Sequence, residues 1–197
     1  MQSSPMTELE QVIARQMIQE VIVRYARAVD RLDAALLRST FWEDGRYHKV
    51  MNDASIHQSV DQVIAFIGSL FLSTQHVLTN ISIEFTARNR ARAESYVTAH
   101  HKINPTSDAL NAVIGPARLA EIGPSERGYE MTMGARYLDT FEYRRDEWRI
   151  MTRQLLFEWT QTGAASDLGA GEGMSANLHL TEWPARDRSD PFYAGRS

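Results

Sequence analysis

The spacing of apolar residues changes character once, near Gln75, and that change constrains the fold more than any other feature of the chain. Before it, Ile18, Ile22, Tyr25 and Val29 recur on one stripe at helical intervals, the period of an amphipathic helix. Thr7 followed by Glu10 is the pairing of a capping box, in which a hydroxyl and a carboxylate satisfy each other's backbone N–H groups. A long helix is expected from about Thr7 to Val29, with Tyr25 on its inner face. Asp33 is placed to cap a second, shorter helix carrying Leu36, Leu37 and Phe41, because a short carboxylate side chain can accept from the first free N–H groups. "GRYHKVM" then reads as a strand. A third helix is expected from Ser59, with Gln62 completing a second capping box and Val60, Val63, Ile64 and Ile67 as its buried stripe.

From Gln75 onward Val77, Thr79, Ile81, Ile83 and Phe85 alternate with His76, Leu78, Asn80, Ser82 and Glu84, the period-two pattern of a strand. "RARAESYVTAHHKI", "YEMTMGARYLDTFEYRR" and "EWRIMTRQLLFEW" give three more strands, the last two joined through Arg145 and Asp146. Long consecutive strands of this kind form antiparallel sheets. Between them, residues 103–128 are punctuated by Pro and Gly, too long for a hairpin and apolar enough to pack, which suggests an excursion that acts as a lid. The fold class is therefore α+β: N-terminal helices packed on a strongly curved antiparallel or mixed sheet, over residues 1–160. Residues 161–197 form a Gly-, Ala- and Ser-rich extension that still carries Met174, Leu178, Leu180, Trp183 and Phe192, and it is expected to dock. A curved sheet closed by helices leaves a pocket suited to a small ligand.

Composition narrows the chemistry. A net charge of −4 with arginines scattered along the chain provides no basic field for nucleic acid. The absence of cysteine removes disulfides, thiolate metal sites and cysteine nucleophiles together. The six histidines show no HExxH spacing, and no GxGxxG, GxxxxGK[ST] or GxSxG motif is present, so neither a metal nor a cofactor is expected. No apolar run approaches the ~20 residues that span a membrane, and "MQSSPMTELEQ" lacks a signal-peptide layout, so the expectation is a cytoplasmic protein.

"YARAVDRLDAALLRSTFWEDGRY", "STQHVLTNISIEF" with the downstream "ARAESYVTAHH", and "GARYLDTFEYRRDEWRIMTR", in that order and spacing, resemble the SnoaL-like branch of the nuclear transport factor 2-like superfamily over roughly residues 8 to 160. The resemblance implies a cone-shaped α+β barrel and cofactor-independent lyase chemistry of the kind run by scytalone dehydratase, hexachlorocyclohexane dehydrochlorinase and bile acid 7α-dehydratase. It places a catalytic pair at Asp30 and His76. A carboxylate on one ring nitrogen fixes the tautomer and raises the basicity of the other nitrogen. Read from alternation alone, His76 falls on the solvent face of its strand and Asp30 is a solvated helix end.

The same resemblance makes Tyr25 a hydrogen-bond donor to a substrate oxygen or leaving group, with a core tyrosine as the bland alternative. It makes Arg153 a cation able to stabilise a departing anion, against a surface strand residue. His101, which shares a face with Ser95, Val97 and Ala99, is a substrate-binding candidate, as are Tyr47 on the first strand and Asn80 on the strand face of His76. Trp42, Trp148 and Trp159 are assigned to the core. The expected activity is proton abstraction and elimination on a small apolar cyclic or aromatic substrate, dehydration first. C–C cleavage that releases formaldehyde from a lignin-derived aromatic alcohol is the alternative, as is double-bond isomerisation. A non-catalytic binding or assembly module is the alternative of another class. A homodimer or homotrimer is expected, formed through the outer sheet face.

Overall fold

Thr7 and Glu10 cap the first helix reciprocally: the Thr7 N–H donates to Glu10 Oε2 at 2.8 Å and the Glu10 N–H to Thr7 Oγ1 at 3.2 Å. From this start α1 (Glu8–Asp30) buries Ile18, Ile22, Tyr25 and Val29 along one stripe. The computed structural model describes residues 5–48, 55–165 and 185–193. Asp33 caps α2 (Ala34–Arg38) through the Leu36 N–H. Phe41 lies beyond this helix and opens β1 (Phe41–His48) instead, because the chain leaves the helix in a turn at Ser39 and Thr40 and the Ile150 N–H then reaches the Thr40 carbonyl at 2.9 Å. The end of the expected strand, Lys49 to Met51, lies outside the described residues. The third helix, α3 (Ile56–Leu70), starts three positions before Ser59, from an N-cap Ser55 whose side chain makes no capping bond. Ile56 and Val60, an i,i+4 pair exposed by 1% or less, set its start, so burial of the stripe decides where a cap does not.

Five strands follow the order β1-β5-β4-β3-β2, with β2 (Phe71–Ala87), β3 (Arg90–Ile103), β4 (Tyr129–Arg144) and β5 (Glu147–Ala164) antiparallel in sequence and β1 parallel beside β5. The sheet is mixed and curled but not closed. β4 and β5 turn through Arg145 and Asp146, both at positive φ, the requirement of a hairpin turn matched to strand twist. A bulge between Phe41 and Arg46 seats Gly45, where a Cβ would come within 2.9 Å of the Trp42 carbonyl oxygen. On the concave side β3 presents Ala91, Ala93, Ser95, Val97 and Ala99, all buried, and these small side chains let the sheet wrap closely around α1.

Residues 104–128 include α4 (Ser107–Val113), which packs near α3 and β3, and α5 (Pro116–Ile122), which packs near α4. Trp42 and Trp148 are core residues, but Trp159 is half exposed. It faces outward on β5 and lays its indole over Gly134 of the next strand, where any Cβ would collide with it. Of the C-terminal extension, residues 185–193 dock near the end of α1: Arg31 pairs with Asp190 at 3.0 Å, Arg188 with Asp33 at 3.2 Å, and the Tyr193 hydroxyl donates to Asp33 at 2.9 Å. Met174, Leu178, Leu180, Trp183 and the Phe192 side chain lie outside the described residues. Among the described residues no helix is long and apolar enough to cross a membrane.

Candidate active site

β2 does not keep one alternation along its length. Asn80 sits at φ 48°, and the register with β3 jumps from Thr79↔Tyr96 to Ser82↔Glu94, so Asn80 and Ile81 together oppose Ser95. This is a β-bulge with its first residue in the left-handed region. Because strand side chains alternate, one extra residue exchanges the two faces. Before the bulge Thr74, His76 and Leu78 face inward and Val77 is exposed; after it Ile81, Ile83 and Phe85 face inward. The bulge thus overturns the plain alternation that put His76 with Asn80 and Glu84 on the solvent side. Asn80 itself is exposed and lines no part of the interior cavity, so its assignment to substrate binding is corrected to a backbone role.

His76 meets Asp30, the last residue of α1. The imidazole Nδ1–H donates to Asp30 Oδ1 at 2.7 Å, the His76 backbone N–H to Oδ2 at 3.1 Å, and the Thr74 hydroxyl to Oδ1 at 2.8 Å. Both side chains are largely buried, 6% exposed for His76 and 13% for Asp30. Burial pushes the Asp30 carboxyl up, but the bonds from His76 and Thr74 outweigh it and hold the group below the usual carboxylate range. An ionised carboxylate accepts only, so Nδ1 carries the proton and Nε2 is left as the basic nitrogen.

His76 is in the wall of a cavity of about 450 Å³ bounded by α1, α3 and the concave sheet. Val29, Val63, Ile67, Leu70, Phe71, Met131, Met133 and Leu155 make most of the lining apolar, and Phe66 and Phe157, both more than half exposed, stand at its rim. Polar groups are few: Gln62, Thr74, His76, His101, Tyr25, Tyr47 and Tyr137. Among the described residues the lining contains no Asp, Glu, Lys or Arg. His101 lies edge-on to His76, ring centroids 5.8 Å apart, and tilted against Phe71 at 4.5 Å. Its Nδ1 is buried without a hydrogen-bond partner, and burial, aided by His76, lowers its pKa to about 4. The imidazole is therefore neutral near pH 7. On the far side of His76, an open cleft lined by Asp30, Arg31, Gln75, His100 and Arg186 reaches the same pair.

Arg153 is neither at the surface nor in the cavity lining. It is fully buried, with Nε and Nη2 bonded to Asp139 at 2.7 and 2.6 Å, and its guanidinium carbon lies 4.0 Å from the ring centroids of both Tyr25 and Tyr137. Burial opposes its charge, but Asp139 outweighs this and raises its pKa further. Paired and screened in this way, Arg153 cannot meet a departing anion directly, which corrects the expected role. It fixes two phenols that do line the cavity. Burial, reinforced by the neighbouring Tyr25 phenol, pushes the Tyr47 and Tyr137 hydroxyls up, so both remain protonated donors. Tyr137 and Asp139 were not singled out from the sequence, although both fall on the alternating buried row with Phe141.

Residues 104–128 contribute nothing to the cavity lining, contrary to their expected place as a lid. Among the described residues no group of three or more His, Cys, Asp or Glu could hold a metal ion.

The sequence profile of the SnoaL-like domain matches residues 10–154. The chain belongs to that family. Solved structures share the SnoaL-like, nuclear transport factor 2-like fold. A type 2 hexachlorocyclohexane dehydrochlorinase superposes with a TM-score of 0.66 at 16% identity, covering 85% of this chain and 100% of its own. A scytalone dehydratase-like protein from Novosphingobium aromaticivorans DSM 12444 gives 0.61 at 20%, covering 84% and 100%. A type 3 dehydrochlorinase from Novosphingobium barchaimii LL02 gives 0.64 at 16%, covering 82% and 98%. At such identities the likeness concerns the fold. No curated protein matches the sequence.

Proposed function

We propose that this SnoaL-like protein is a cofactor-independent lyase acting on a small, neutral, apolar cyclic or aromatic molecule, with dehydration as its reaction. The observation that carries the reading is the buried Asp30–His76 pair opening onto an apolar cavity. His76 Nε2 takes a proton from the carbon next to the one bearing a hydroxyl; the C–H electrons become the new double bond, and the C–O bond breaks. The hydroxide leaves hydrogen-bonded to the phenols of Tyr25, Tyr47 or Tyr137 and departs as water with the proton His76 had taken, which restores the neutral imidazole. Asp30 orients the ring and stabilises the imidazolium while it lasts. His101, neutral and with Nδ1 unpartnered, binds the substrate from the same wall. Positioned proton transfer of this kind contributes roughly 10² to 10⁴ in rate. C–C cleavage of an aromatic alcohol side chain and double-bond isomerisation share the first step. The proposed unit is a SnoaL-like domain over about residues 1–160, with residues 161–197 as an extension that docks on it or on a neighbouring subunit. We place the protein in the cytoplasm and assign it a homodimer or homotrimer.

The test is incubation of the chelator-treated full chain with pooled aromatic and alicyclic alcohols, followed by chromatography and mass spectrometry. Loss of water from one compound is expected, slowed at least roughly 10²-fold in both His76→Ala and Asp30→Asn. Loss of formaldehyde, or a new species of unchanged mass, would redirect the reading to C–C cleavage or isomerisation. An unchanged pool with one compound retained on the protein would replace the enzyme by a binding module.

A further inference from the structure

One side chain of the C-terminal segment reaches the dyad. Arg186, half-buried, donates from Nε to the Asp30 carbonyl at 3.1 Å and from Nη1 to the Phe71 carbonyl at 2.5 Å. Its Nη2 donates to the Val29 carbonyl and to the Thr74 hydroxyl, both at 3.3 Å. These acceptors belong to the end of α1 and the start of β2, the two elements that carry Asp30 and His76. The contact with Thr74 adds a directional effect. A hydroxyl has a single proton, and an N–H on its lone-pair side leaves that proton for Asp30 Oδ1, to which Thr74 donates at 2.8 Å.

We propose that Arg186 is a positioning residue for the Asp30–His76 pair: its guanidinium locks the α1 terminus to β2 and orients the Thr74 hydroxyl that holds the carboxylate. This rests on the assignment of Asp30 and His76 as the reacting pair. Arginine suits the place because its planar fork can serve several acceptors at once, where the lysine ammonium on a flexible stem cannot hold the same geometry. The family profile ends at residue 154, so this contact is supplied from outside the stretch that defines the family. The plainer role for Arg186 is a cap on the free carbonyls at the end of α1. That role affects stability, whereas a positioning role also changes the dyad in the folded protein.

The deciding measurement is the His76 Nδ1–H resonance in proton NMR spectra of the full chain, which its short bond to Asp30 protects from exchange. Arg186→Ala is expected to lose this resonance while folded, to regain it on addition of millimolar guanidinium, and to lower kcat about tenfold with KM little changed on the substrate found above. Tyr193→Phe removes a different tie of the same segment, to Asp33, and is expected to lower Tm while leaving the resonance and kcat as they are. Retention of the resonance in Arg186→Ala, or its equal loss in Tyr193→Phe, would overturn the proposal. Should Arg186→Ala not fold, Arg186→Lys decides in its place, loss of the resonance supporting the proposal and a wild-type resonance refuting it. Full turnover in His76→Ala would remove the enzymatic reading, yet the NMR comparison still decides what Arg186 does.

Discussion

His101 gives the protein a pH signature that needs no substrate to observe. Its folded-state pKa is lowered to about 4 against 6.5 for a free imidazole. Above 6.5 the ring is neutral folded or unfolded and contributes no pH dependence. Between 6.5 and 4 the unfolded chain binds a proton that the folded chain refuses, so stability falls as pH falls, by about 3 kcal/mol at most. Urea unfolding at pH 7 and pH 4.5 should show this drop in the wild type and a smaller one in His101→Phe; equal drops would refute it. At this scale the sequence showed Asp30 and His76 only through family resemblance, since a lone carboxylate at a helix end and a lone histidine opposite an apolar row both look solvated. Arg153 was seen without its partner for a countable reason. Measured from the Arg145–Asp146 turn, a regular hairpin sets Asp139 opposite Thr152, and the register shift between Thr140 and Phe141 moves it to Arg153.

Among the elements, β2 shows most clearly where reading by periodicity stops. α1 and its capping box, β3 and β4 follow their patterns, because a single face of each is buried from end to end; β5 does not, since the extra residue between Ile150 and Thr152 moves its inward side chains from Trp148 and Ile150 to Arg153 and Leu155. β2 buries one face and then the other, and no local signal announces the change except an Asn, a residue that tolerates left-handed backbone. The bulge therefore makes a prediction about Asn80. Replacement by Gly should leave urea stability nearly unchanged, while Val, a β-branched residue at φ 48°, should cost roughly 1 to 3 kcal/mol; no difference between the two variants would show that the left-handed conformation is not required. The early start of α3 has a similar lesson: Ser59 and Gln62 look like a cap, but the helix begins where Ile56 can be buried.

For the molecule as a whole, the order of helices followed by sheet was readable because the two periods occupy separate halves of the chain. The outer sheet surface was not, since what lies there depends on register between strands. Val77, Thr98, Gly134 and Trp159 fall on one row across four strands, with Val77 and Trp159 each half exposed. The two exposed apolar side chains of this row are where the proposed second copy of the chain would pack. Trp159→Lys is therefore expected to shift the sedimentation coefficient toward monomer, with the Asp30–His76 pair intact; a wild-type monomer at micromolar concentration would remove the homo-oligomer from the proposal.

The pairing of Arg153 with Asp139 behind Tyr25 and Tyr137 bears on which molecules are refused entry. Among the described residues the full charges near the cavity are held behind its lining, where they are neutralised or hydrogen-bonded, so an entering ion finds no counter-ion there to replace the water it sheds. Desolvating an unmatched carboxylate or ammonium costs several kcal/mol, enough to disfavour an ionised guest by a few orders of magnitude relative to a neutral one of the same shape. Discrimination of this sort belongs to no single contact. It is a filter on net charge, set by the way the walls are electrically closed.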